Sequence, residues 1–172
     1  MERTKITVPK LLARKGNGEK ITMLTAYDFP TASLVDSAGI DIVFVGDSLG
    51  LEELGYADTI EVTMEDMIHH CRAASRGVRS SLLLVDMPFL SYQVSPEEAI
   101  RNAGRMLQEG HANAVKLEGG TAIASTIRRI VDTGIPVMGH IGFQPQSVNL
   151  TGIAKQGKDE ESERRSHEWS LL

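Results

Sequence analysis

The sequence predicts an α/β fold built on a parallel sheet, and three observations lead there. Short runs rich in Val, Ile and Leu recur without polar alternation, most plainly Ile42-Val43-Phe44-Val45 and Leu82-Leu83-Leu84-Val85. That is the pattern of strands covered on both faces. Each run turns polar at its end: Gly46, Asp47 and Ser48 follow the first, Asp86 follows the second, and Ala114-Val115-Lys116-Leu117-Glu118 closes in the same manner. Stretches of helical periodicity separate the runs, and strand and helix in alternation imply parallel order with right-handed crossovers. The architecture that unites all three is the (β/α)8 TIM barrel, in which every strand points its carboxyl end at one mouth. A closed barrel takes about 250 residues. The 172 residues present therefore predict an incomplete barrel of about five βα units, read as one partial domain over 1–172.

A short amphipathic stretch over 8–13 and the turn Gly16-Asn17-Gly18 precede the first strand, 21–26, which ends at Tyr27-Asp28. Pro30, periodic Ala32, Leu34 and Val35, and a closing Gly39 define the first crossover helix. Asp28 fits a cap of that helix as well as it fits a site. The second strand covers 40–45, and residues 49–62, with Gly50 and Gly55 but no clear period, predict a long loop on the mouth. Thr63-Met64-Glu65-Asp66 reads as a helix start, continued by Met67, Ile68 and Cys71 at helical spacing, with both methionines in the core. The third strand covers 81–85. Ser95-Pro96-Glu97-Glu98 is the sharpest local signal: a capping serine, proline in the first turn, and acids that complement the positive helix end. Its helix runs to about Gln108 and stops at Gly110. A fourth strand over 113–117, a helix over 121–133 and a fifth strand over 135–140 follow, with Pro136 near the last strand's start, where a missing donor is tolerated. Residues 156–165 are polar enough to begin a solvated helix, and 166–172 read as an atypical tail that supplies no sixth strand.

Composition narrows the function classes. Hydrophobic residues make up 41% and charged ones 24%, ordinary for a globular protein, and no apolar run approaches a membrane span. Eighteen basic residues against twenty-three acidic ones give a net charge of −5. The basic residues are scattered, which argues against a nucleic-acid surface. Cys71 is the sole cysteine, so no internal disulfide forms, and it reads as a packed thiol in a reducing compartment. The first residues lack an apolar secretory core. A cytoplasmic location follows as the expectation; a mitochondrial one stays open for a eukaryote, although Glu2 and the early strand weaken it.

The mouth gathers Asp47, Asp86, Lys116 and Glu118. Neighbouring carboxylates raise one another's pKa unless a cation neutralises them, so Asp47, Asp86 and Glu118 read as a metal site. Hard oxygen donors favour Mg²⁺ over Zn²⁺, with coordination positions left for a bidentate 2-oxo acid. Such an ion stabilises the enolate formed when a neighbouring C–H loses its proton. Lys116, two residues before Glu118 and on the same side of its strand, can bind a substrate carboxylate or offset oxyanion charge. His140 also ends a strand and can donate to substrate or to a neighbouring carboxylate, against the alternative of a purely structural bond. His69, His70, His111 and His167 lack strand-end placement and read as solvated or capping.

Five segments extend this reading: Thr25-Ala26-Tyr27-Asp28, Val45-Gly46-Asp47-Ser48-Leu49-Gly50, Asp86-Met87-Pro88-Phe89, Val115-Lys116-Leu117-Glu118-Gly119, and Gly139-His140-Ile141-Gly142 with Pro145-Gln146-Ser147. In order and spacing, over about residues 5–165, they resemble the ketopantoate hydroxymethyltransferase family. The resemblance implies a barrel of the phosphoenolpyruvate/pyruvate superfamily. It also implies a Mg²⁺-dependent transfer of a hydroxymethyl group from methylenetetrahydrofolate, the co-substrate, to 3-methyl-2-oxobutanoate, giving 2-dehydropantoate for pantothenate and coenzyme A synthesis. It assigns Asp47, Asp86 and Glu118 to the metal, and Asp47, Ser48, Asp86 and Lys116 to the 2-oxo acid. The family's general-base glutamate falls on a later strand, beyond residue 172, so the resemblance names no catalytic base in these residues. A homo-oligomer is expected of a full-length form. Two alternatives stand beside this reading: another Mg²⁺-dependent lyase or mutase acting on a 2-oxo acid, and an inactive fragment or interaction protein whose unpaired sheet edges favour association.

Overall fold

The computed structural model describes residues 3–151; the polar stretch 156–165 and the tail 166–172 lie outside the described residues. In chain order the elements are α1 (Val8–Gly16), β1 (Met23–Thr25), α2 (Phe29–Ser37), β2 (Ile42–Val45), α3 (Leu49–Glu52), α4 (Met64–Ser75), β3 (Leu82–Asp86), α5 (Pro96–Gln108), β4 (Ala114–Glu118), α6 (Ala124–Asp132), β5 (Val137–His140) and α7 (Val148–Thr151). The five strands form one parallel sheet in sequential order β1-β2-β3-β4-β5. This is the expected arc of a barrel wall. Among the described residues β1 and β5 are its edges, and Met23 and Leu24 on β1 are about half exposed.

The strands begin later than the apolar runs, and the second has an identifiable cause. Asp41 gives its N–H to the Thr22 hydroxyl and accepts the Thr22 N–H on its carboxylate. Side-chain bonds thus replace ladder bonds at the amino end of β1 and β2, and the ladder proper begins with Ile42 N–H donating to Thr22 O. The expected loop over 49–62 contains the single turn α3, and the helix expected over 121–133 opens with a 3₁₀ turn at Thr121–Ile123 before α6.

Helix starts follow their sequence signals. The Ser95 hydroxyl accepts from Glu98 N–H at the head of α5, and Asp28 caps α2 through Thr31 N–H. Thr63 and Asp66 close a reciprocal capping box on α4. Two apolar clusters hold the layers. Val43, Val45, Leu83, Val85, Val115 and Leu117 face the helices, with Met67, Cys71, Ala103, Met106 and Ile130 packed against them. The alternate residues Ile42, Leu82, Leu84 and Ala114 face the concave side, where Leu11 of α1 covers them. Cys71 is fully buried, and burial pushes its thiol up to about 12, leaving it inert. Among the described residues no helix is long and apolar enough to cross a membrane.

Candidate active site

Period-two geometry carries each strand's concave face into the mouth. Leu82 and Leu84 lead to Asp86, Ala114 leads to Lys116 and Glu118, and Met138 leads to His140. Parallel register sets Asp86 beside Lys116 and Glu118 beside His140. The polar cluster is therefore the last layer of an otherwise apolar lumen. The boundary between them is visible at Lys116, whose ammonium lies 5.0 Å from the centre of the Phe44 ring.

Asp47, Asp86 and Glu118 are each more than nine-tenths buried. Asp86 Oδ1 meets Lys116 Nζ at 2.6 Å, and its Oδ2 accepts the Asp47 N–H at 3.2 Å. That second bond needs the β2 backbone to turn tightly. A Cβ on Gly46 would come within 2.9 Å of both the Phe44 ring and the Ser48 hydroxyl, so a side chain there would have to displace them. Ser48 shares a 2.8 Å hydrogen bond with the Tyr27 hydroxyl, and the Tyr27 carbonyl is in turn bonded to His70 Nδ1 at 2.9 Å. Glu118 Oε2 lies 3.5 Å from His140 Nδ1, an ion-pair distance without a formed hydrogen bond.

Gln146, in the 3₁₀ turn Pro145–Ser147 after β5, ties the cluster together. Its Nε2 donates to Asp47 Oδ2 at 2.8 Å and to the Met87 carbonyl at 2.9 Å; its backbone N–H donates to Glu118 Oε1 at 2.6 Å. Tyr92, buried beneath, donates from its hydroxyl to Gln146 Oε1 at 2.8 Å and lies 2.9 Å from the Glu118 carbonyl.

The electrostatics are those of a site short of positive charge. Burial pushes the Asp86 carboxyl up to about 7; the Lys116 ammonium opposes this and Asp47 adds to it. Burial also raises Asp47, with Glu118 repulsion reinforcing it against the Gln146 hydrogen bond and the Lys116 charge. Two buried carboxylates held up in this way, served by one ammonium, suit a hard divalent cation, and Mg²⁺ typically takes only one or two protein carboxylates. Asp47 and Asp86 fit such an ion by donor chemistry. Among the described residues no three His, Cys, Asp or Glu side chains are arranged to hold a metal together. Glu118 shares the pole but is engaged by the Gln146 N–H.

Asp47, Ser48, Asp86, Lys116, Glu118 and His140 thus converge on one mouth. Asp28 is spent on its helix cap. His70, expected to be solvated or capping, instead braces the end of β1. Sequence reasoning places Gln146 within the segment Pro145-Gln146-Ser147 but gives it no role, and it does not mark Tyr92 at all. The signals for Gln146 are that segment and its place in the turn after a polar strand end; Tyr92 has none. A cavity of about 280 Å³ opens beside Glu118, lined by Phe89, Tyr92, Ile123 and Gln144 among others. A larger hollow of about 600 Å³ lies by Ile127, Arg128, Val131 and Val137, and none of the clustered carboxylates lines it.

Sheet, crossovers and mouth together define the class: part of a (β/α) barrel wall with a polar cluster at the carboxyl ends of its strands. Solved structures agree at the level of fold. The chain matches phosphonopyruvate hydrolase in complex with oxalate and Mg²⁺ with a TM-score of 0.68 at 15% identity, over 94% of this chain and 58% of that one. It matches 2,3-dimethylmalate lyase, itself a phosphoenolpyruvate mutase/isocitrate lyase superfamily member, with a TM-score of 0.63 at 19% identity, over 96% of this chain and 60% of that one.

Sequence relatives are more specific. A family model described as ketopantoate hydroxymethyltransferase matches residues 5–171, and the chain belongs to that family. Proteins named 3-methyl-2-oxobutanoate hydroxymethyltransferase are 58% identical over 153 residues in Dehalococcoides mccartyi, covering 88% of this chain and 54% of that protein. The Clostridium novyi relative is 57% identical over 162 residues, covering 94% and 59%. The Acetivibrio thermocellus relative is 50% identical over 169 residues, covering 98% and 60%. The chain spans little more than half the length of these relatives.

Proposed function

We propose that this chain binds the 2-oxo acid and the divalent ion in the transfer of a hydroxymethyl group from methylenetetrahydrofolate to 3-methyl-2-oxobutanoate, giving 2-dehydropantoate. Family membership supports the reaction. The observation that carries the site is the joining of Asp86 to both the Asp47 N–H and the Lys116 ammonium. Asp47 and Asp86, with Glu118 beside them, would hold Mg²⁺, which when bound supplies Lewis-acid polarisation of the keto oxygen. Lys116 meets the acid's carboxylate or the oxygen that gains charge as the C–H ionises. Ser48, oriented by Tyr27, offers a hydrogen bond at the same mouth. His140 stands at the same mouth with its Nδ1 3.5 Å from Glu118 Oε2. These groups bind and polarise; by the family resemblance, the base that takes the substrate proton belongs to a later strand. The bacterial relatives support a cytoplasmic setting.

Isothermal titration of 3-methyl-2-oxobutanoate into the folded 172-residue chain tests this. Binding is expected with Mg²⁺ and lost on chelation, and Lys116→Ala is expected to weaken it about tenfold or more. Binding indifferent to both Mg²⁺ and Lys116 would overturn the assignment. Cleavage of a 2-oxo acid without folate would instead favour a lyase of the same superfamily.

A further inference from the structure

The Gln146 amide is fixed at both ends, and the identity of each end follows from its partners. The Met87 carbonyl can only accept, so the amide atom 2.9 Å from it is the NH₂ group. The same nitrogen then donates to Asp47 Oδ2, and the amide oxygen faces the Tyr92 hydroxyl at 2.8 Å and Gln93 Nε2 at 3.4 Å. The backbone N–H of this residue holds Glu118 Oε1 independently of the side chain. One buried residue from the turn after β5 thereby grips one oxygen of a carboxylate from the β2 end and one oxygen of a carboxylate from the β4 end. Gln146 is 5% exposed, and none of its side-chain partners lies on its own turn.

We propose that Gln146 is the positioning residue of this mouth: its side chain sets the orientation in which Asp47 joins Asp86 around a divalent ion. The proposal rests on the divalent-ion reading above. A Gln→Met substitution keeps the length and apolar stem of the side chain but removes both polar atoms. Asp47 Oδ2 then loses its directional donor while the backbone bond to Glu118 is preserved.

The test is Mn²⁺ binding to the full 172-residue chain, read by electron paramagnetic resonance of the free ion, for wild type, Gln146→Met and Asp86→Asn. Wild type is expected to bind and Asp86→Asn to lose binding. Gln146→Met is expected to bind about tenfold more weakly, the loss usual for groups that orient metal ligands, with the circular dichroism of wild type. Unchanged Mn²⁺ affinity in folded Gln146→Met overturns the positioning role and leaves the divalent-ion reading standing. Absence of Mn²⁺ binding in wild type removes both. If Gln146→Met does not fold, Tyr92→Phe takes its place, removing a hydroxyl that lies 2.8 Å from the amide oxygen, which Gln93 Nε2 reaches at 3.4 Å, and that also contacts the Glu118 backbone. A several-fold weakening is then expected, and unchanged affinity counts against the role.

Discussion

Asp41 and Asp86 sit at opposite ends of the same sheet, both buried beside cationic side chains, and their carboxyl groups are driven in opposite directions. At the amino edge, burial would raise Asp41, but hydrogen bonds from Arg14 and Thr22 outweigh it and bring the group to about 2. Arg3 Nη2 and Arg14 Nη1 both reach its Oδ1, at 2.8 and 2.7 Å. Asp36, near by, is lowered too: burial opposes, but bonds from Ser80 and Ser81 prevail. At the carboxyl edge, burial dominates and carboxylates outnumber cations, so Asp86 and Asp47 are raised. The contrast separates two uses of a buried acid. One end satisfies its carboxylates internally and so fastens α1 and the strand starts; the other leaves them wanting a counter-ion from outside the chain.

The sharpest way to break this comparison is at the mouth. Asp86→Asn is expected to weaken Mg²⁺-dependent binding of 3-methyl-2-oxobutanoate by about a hundredfold or more, because a ligand and the anchor of Lys116 go together. Calorimetric titration measures it, and a variant that binds normally would make the mouth a structural network like the base. The complementary change, Asp41→Ala, is expected to cost about 2–3 kcal/mol in urea unfolding, since two arginines and Thr22 lose their shared acceptor. Mn²⁺ affinity of whatever remains folded should be unchanged. A large loss of ion binding there would show that the two ends are coupled.

Acid supplies a third, smaller effect. A carboxyl lowered in the folded state contributes stability that is complete above its unfolded value of 3.8 and is lost as pH falls through about 2. After allowance for solvent around the partly exposed arginines, the Asp41 contribution is about 1–2 kcal/mol. Urea midpoints of wild type should fall between pH 4 and pH 2 more steeply than those of Asp41→Asn; equal slopes would count against the Asp41 pairing. The smallest effect belongs to neither end. Ser95→Ala removes only the cap of α5 and is expected to cost about 1 kcal/mol with 2-oxo acid affinity unaltered, which calibrates how far a purely local loss reaches the mouth.

Much of this was legible in the sequence because one physical rule repeats. Runs such as Leu82 to Val85 have the pattern of buried strands, and strand polarity then puts Asp86, Lys116 and Glu118 at one edge. Ser95, Thr63 and Asp28 announced helix starts because capping is a short-range interaction. What escaped was long-range. Tyr92 and Gln146 lie 54 positions apart and meet only because β3, β4 and β5 run side by side; neither residue type signals a site by itself. The late start of β2 escaped for the same reason, since it depends on a hydrogen-bond exchange between Thr22 and Asp41.

The concave-face alternation has a genetic consequence. Along β3 and β4 a substitution alters one contact, whereas deletion of a single codon between Leu82 and Asp86 reverses the phase of every residue behind it. Asp86 would then take the place of Val85, facing the helix layer, and Met87 would take the place of Asp86 at the mouth. Codons lost in pairs would restore the phase but shorten the strand. These two strands should therefore tolerate a varied vocabulary of apolar residues and almost no change in length, with insertions and deletions accepted only in the connecting segments.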